Sequence, residues 1–181
     1  MQWLRSIPIL EKLAGAQERL LRAADAIPPE LWNTPPREGS WSAAEVIAHV
    51  ITVERMVAVV AGKILKKQPK QTPWLKRFRL PLAFAEIRLV RLKTPIPVDP
   101  QLLSEKKPMF AELQKVRSCT LALIEENRNR DLRVYRWQHP FLGSLNTYQW
   151  FALLGSHQIR HEKQIREIAA NLPNATPASQ K

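Results

Sequence analysis

Proline divides this chain more decisively than any other residue. The 15 prolines gather mainly at 28–36, 69–108 and 173–177. A proline ring locks φ and removes a backbone donor, so such clusters mark connections and not element interiors. Regular structure has to lie between them.

Each stretch between the clusters repeats apolar residues at helical spacing. A first helix is expected from about Ser6 to Ala26, with Pro8 near its first turn. Leu10, Leu13, Gln17, Leu20, Leu21 and Ala24 mark its inward side. A second helix opens at Ser42 and Glu45, a spacing that forms a capping box, and ends near Lys67. Its inward stripe reads Val46, His49, Val53, Met56 or Val57, Val60 and Ile64. A third runs from Ser104 or Lys107 to Asn127, with Phe110, Leu113, Val116, Thr120, Leu123 and Ile124 on its apolar side. A fourth begins near Asn146, capped with Gln149, and continues to about Leu172. Trp150, Leu153 or Leu154, His157, His161, Ile165, Ile168 and Leu172 form its stripe.

Asp131–Leu145 reads as a loop, and no segment carries a strong strand signal. Five glycines are few for an all-β design with many tight turns. The expected fold is therefore all-α, a four-helix bundle. One domain over residues 1–172 accounts for the helices, and the small polar tail 173–181 is expected to be disordered.

Connector length sets the topology. A second helix of about 26 residues is ~39 Å long. The irregular stretch Gln68–Ser104 is long enough to retrace that length, whereas an antiparallel neighbour needs only a short loop. Helices 2 and 3 are expected to run parallel, giving an up-down-down-up bundle with a long crossover. Short helices are expected within that crossover at Trp74–Arg79 and Pro81–Arg91.

The crossover also carries most of the charge. The chain has a formal net charge of +12, and the stretch from Lys63 to Lys93 is densely basic with a single acid, Glu86. Such a patch attracts phosphates, an anionic membrane surface or acidic small molecules, or it serves only as a solvated connector. No recognised nucleic-acid motif accompanies it, which favours the connector. The longest apolar-rich stretch, Leu80–Val90, is too short and too charged to span a bilayer. Met1–Ser6 lacks the apolar region of a secretory signal, so a cytoplasmic protein is expected. The single cysteine, Cys119, has no second cysteine to pair with and is expected to be a small buried hydrophobe.

Three of the four histidines fall on inward stripes. His157 and His161 are spaced i, i+4, which stacks two imidazoles one turn apart on a helix face. His49 lies on the stripe of the second helix. Buried imidazoles need partners, and one shared divalent ion satisfies all three while leaving positions open for water or substrate. The plainer alternative is a pair of surface or capped histidines. The fourth, His139, precedes Pro140 and reads as part of a structural turn, with a substrate contact as the alternative. Trp41, Trp137 and Trp150 read as core and loop anchors. Glu45 reads as the cap, and Glu162, directly after His161, faces away from the histidine side.

Together these segments resemble the DinB/YfiT-like superfamily of metal-dependent enzymes. The resemblance rests on Gly39 to His49, on His139-Pro-Phe-Leu-Gly143, and on Trp150 through His157 and His161 to Ile165. It implies an up-down-down-up bundle, often a homodimer, in which His49, His157 and His161 hold nickel, zinc or a similar ion. It further implies a small-molecule substrate and either hydrolysis or transfer to a low-molecular-weight thiol. The competing reading is a non-catalytic protein that uses the basic 63–93 connector to hold an anionic partner. No catalytic base stands out.

Overall fold

The computed structural model describes residues 3–69 and 99–173. Most of the basic connector, the short helices expected within it and the tail 174–181 lie outside them.

Four long helices form where the apolar repeats place them: α1 (Ile7–Asp25), α2 (Ala43–Leu65), α3 (Lys106–Glu126) and α4 (Thr147–Asn171). Two of the starts are set by local chemistry. Ser42 Oγ accepts from the Glu45 amide at 3.2 Å, and Glu45 Oε2 accepts from the Ser42 amide at 2.7 Å. Asn146 and Gln149 make the same reciprocal pair at the start of α4, at 3.0 and 2.9 Å. Each box satisfies backbone donors that a helix start otherwise leaves bare. Ser6 stands at the N-cap of α1 but makes no side-chain cap bond there.

The direction of each helix follows from its company in the core. One apolar cluster joins the last turns of α1 (Leu20, Ala24), the first turns of α2 (Ala44, Ile47), the start of α3 (Met109, Leu113) and the end of α4 (Ile165, Ile168). The other joins the start of α1 (Ile9, Leu13), the end of α2 (Ala61, Leu65), the end of α3 (Ile124) and the start of α4 (Phe151, Leu154). So α1 runs with α4, and α2 runs with α3 in the opposite sense. This is the expected up-down-down-up bundle. Burial of each large side chain here contributes roughly 1.5–3 kcal/mol.

A polar layer separates the two clusters. Glu54 of α2 accepts from Arg117 of α3 through both carboxylate oxygens, Nε to Oε1 at 2.6 Å and Nη2 to Oε2 at 2.9 Å. Arg117 Nη1 donates to the Leu13 carbonyl of α1 at 2.7 Å. Thr120 Oγ1 of α3 and Gln158 Nε2 of α4 both donate to Glu54, each at 3.1 Å. Three helices thus meet at one carboxylate, and α1 joins them through Arg117. The buried faces of α2 and α3 accordingly differ from the expected stripes in that Glu54 and Arg117 are inside; of the two residues expected at one position of α2, Val57 is buried and Met56 is 43% exposed.

That arrangement overturns the expectation for Cys119, which is exposed. With Arg117 turned inward, Cys119 sits two residues on, about 200° round the helix. It borders a groove between α2 and α3 that is also lined by Arg55, Glu112 and Lys115.

The stretch between α3 and α4 also differs from expectation. It holds a two-stranded antiparallel hairpin, β1 (Arg136–His139) and β2 (Gly143–Asn146), in which Trp137 faces Leu145 and His139 faces Gly143. Gly143 has φ +83°, a value that favours glycine at the turn. Four-residue strands are too short to show a convincing alternation, and their support is tertiary. Trp137 stacks on Trp150 of α4, ring centroids 4.8 Å apart and planes 5° from parallel. Thr147 donates through both its amide and its hydroxyl to the Tyr135 carbonyl, at 3.0 and 3.1 Å, tying the hairpin to α4.

Helices α1 and α4 approach closely at Gly155. A Cβ there would lie 2.9 Å from Lys12 Cγ, on the same side chain whose Nζ donates to Ser156 Oγ at 2.7 Å. Alanine in place of glycine favours a helix by about 1 kcal/mol, but overpacking of this kind costs about 1–3 kcal/mol. Gly155→Ala is expected to lower stability by about 1 kcal/mol in urea unfolding. Adding Lys12→Ala should turn the alanine into a gain; a Gly155→Ala protein more stable than wild type would show that the approach is slack.

Candidate metal centre

His49 sits in the second turn after the capped start of α2, and His157 and His161 sit mid-way along α4. Register puts each ring on an inward face, and the packing of α2 against α4 brings the three together. His49 Nε2 lies 3.3 Å from His157 Nε2, and His161 Nε2 lies 3.1 Å from His157 Nε2. One ring nitrogen from each residue falls within 4.8 Å of the others. His49 is 3% and His161 6% exposed, with His157 less deeply covered.

Hydrogen bonding assigns one tautomer. Gln164, three residues on along α4, accepts from His161 Nδ1 at 2.9 Å. Nδ1 therefore carries the proton, and Nε2 presents its lone pair to the cluster. Trp41, immediately before the α2 cap, covers His49 with ring centroids 5.1 Å apart. His49 Nδ1 is buried without a hydrogen-bond partner among the described residues.

Burial holds all three rings neutral. Desolvation pushes His49 down to about 4. Desolvation, followed by the positive charges His49, Arg160 and His139 would add, pushes His157 down to about 3. His161 lies well below its ordinary value, again chiefly through desolvation, with His157 adding to it. Neutral imidazole is the form that binds metals.

Two nitrogens held tetrahedrally about 2.0–2.1 Å from one ion lie roughly 3.3 Å apart. The observed 3.1 and 3.3 Å separations match that spacing. Hydrogen bonding alone serves the cluster poorly, because His161 Nε2 has no proton to give and each neutral ring carries only one. A divalent ion, which takes a lone pair from each, suits the donor set. No carboxylate belongs to this cluster among the described residues.

His139 stays outside the trio. Its Nδ1 accepts from the amides of Phe141 and Leu142, both at 3.1 Å, which makes it the keystone of the hairpin turn. Glu45 is confined to its cap, and Glu162 is held by Arg166 on α4. Two supporting residues were not anticipated as such. Gln164 was detectable from its i, i+3 spacing to His161 on one helix face. Glu54 carried a weaker signal, an acid four residues after Val50 and three before Val57 on an apolar stripe.

Fold and site define a class: an up-down-down-up helical bundle with a three-histidine cluster inside it. The chain belongs to the DinB superfamily, whose sequence pattern matches residues 12–165. It is 30% identical over 149 residues to the uncharacterized protein YuaE of Bacillus subtilis (strain 168), covering 81% of this chain and 88% of the relative. Among solved structures it resembles TT2238, described as a four-helix bundle protein. The TM-score is 0.56 and the identity 22%, and the match covers 88% of this chain and 97% of that one. The likeness to TT2238 is one of fold. No helix among the described residues is long and apolar enough to cross a membrane.

Proposed function

We propose that this protein is a metal-dependent enzyme in which His49, His157 and His161 hold a divalent ion, nickel or zinc, and leave a position open to water or substrate. The observation that carries the reading is the approach of three Nε2 atoms from two helices in a buried, neutral cluster. When bound, such an ion supplies Lewis acidity and lowers the pKa of a water or thiol ligand towards neutrality. The chain's own residues prepare the donors: Gln164 keeps the His161 Nε2 lone pair free, Trp41 shields His49 from water, and burial suppresses protonation. Three neutral donors leave the charge of an ion uncompensated, which favours an anionic ligand. Hydrolysis and transfer to a low-molecular-weight thiol both fit that preference.

The test is metal content of untagged protein. Wild type is expected to retain close to one ion per chain, and His49→Ala or His157→Ala less than about a tenth of that, since losing one of three ligands removes a large share of the binding energy. Helical circular dichroism should remain near wild type. Equal metal in all three proteins would exclude this site.

A further inference from the structure

His139 is unusual among the histidines because its role in the fold uses only one of its nitrogens. Two backbone amides donate into Nδ1, so the ring is fixed in place and Nδ1 holds no proton. The neutral ring then carries its hydrogen on Nε2, and that atom has no partner among the described residues. Its surroundings connect it to the three-histidine cluster through Trp150 and His157. The ring packs against Trp150, centroids 5.1 Å apart. Trp150 lies on α4 seven residues before His157, a separation that returns to within about 20° of the same line along the helix, about 10 Å away. His139 is also near enough to His157 for a charge on it to be felt there.

We propose that His139 is a ligand-binding donor of the three-histidine centre, giving its Nε2–H to a carboxylate or carbonyl oxygen on a molecule whose other end occupies that centre. This rests on the metal-site reading and narrows it. The substrate is elongated, with one metal-seeking atom and one oxygen acceptor several ångströms apart. The hairpin thus serves recognition, and its turn amides set the tautomer that recognition requires.

The probes are 6-mercaptohexanoate and the equally long but uncharged 6-mercaptohexan-1-ol, titrated into Co2+-loaded protein and followed by the thiolate-to-cobalt absorption. Wild type should prefer the carboxylate by about tenfold or more, as a charge-assisted hydrogen bond would give. His139→Asn keeps an acceptor where Nδ1 stood, so the turn is retained, but it deletes the Nε2 donor. It should bind cobalt as wild type does and lose the preference. His139→Phe should lose the preference too, along with some thermal stability. Long-range 1H–15N spectra of wild type should show the Nε2–H tautomer from pH 6 to 8. A preference absent from wild type, a preference kept by His139→Asn, failure of both thiols to bind cobalt-loaded protein, or the Nδ1–H tautomer would each overturn the proposal. Failure of wild type to take up cobalt would instead overturn the metal site beneath it.

Discussion

Arg117→Met is expected to destabilise the bundle by about 3–5 kcal/mol, enough to remove a large part of the stability of a domain this size. Arg117 is 5% exposed and Glu54 1%. With the guanidinium gone, the Glu54 carboxylate stays buried with only Thr120 and Gln158 donating to it, and the Leu13 carbonyl loses its Arg117 donor. A buried charge stripped of its partner costs far more than the pair itself contributes. The double variant Glu54→Leu with Arg117→Met should therefore recover more than half of the loss, because no uncompensated charge remains. Urea unfolding of the three proteins checks both statements. A loss under about 1 kcal/mol for Arg117→Met would mean that water reaches the carboxylate and that the polar layer is not sealed between the two apolar clusters.

The second large effect is acid sensitivity of the metal-free protein. An unfolded histidine titrates near 6.5. In the fold, burial holds His49 down to about 4 and His157 down to about 3, with His161 shifted the same way. As pH falls below 6.5 the unfolded chain takes up protons that the folded chain refuses, so the free energy of unfolding falls with pH. Each ring contributes about 1.4 kcal/mol per pH unit while only its unfolded form is protonated. The contribution levels off once the folded ring also protonates, near pH 4 for His49 and lower for His157. Three rings together should remove several kcal/mol between pH 6.5 and 5, largely above the range in which ordinary carboxylates titrate. Chelator-treated wild type, unfolded in urea at half-unit steps of pH, should show this slope. The triple variant with glutamine at 49, 157 and 161 should show little of it. A flat wild-type profile between pH 6.5 and 5 would show that the rings are solvated in the absence of metal.

How much of this was legible in advance depended on the distance over which each feature is made. The helix starts at Ser42 and Asn146 were readable because a capping box is closed within three residues. The three inward histidines were readable because helical register is local, and the parallel run of α2 and α3 followed from the length of the connector. Hairpin, cysteine and buried acid were not readable in the same way. The β1–β2 pair depends on a tryptophan stack between residues 137 and 150, and strands this short have no independent signal. Cys119 faces outward because Arg117 faces inward, and Arg117 faces inward because Glu54 of a different helix awaits it.

The sequence by itself determined the four helices, the caps of α2 and α4, their order and the faces that carry His49, His157 and His161, since propensity, capping and periodicity act within a turn or two of chain. Only the tertiary structure decided that those three rings approach to hydrogen-bonding distance, that the Glu54–Arg117 pair ties four helices together, and that His139 sits against Trp150. Each of these depends on the distance and rotation between packed helices, which are set by the summed shape of many side chains and by no short segment alone.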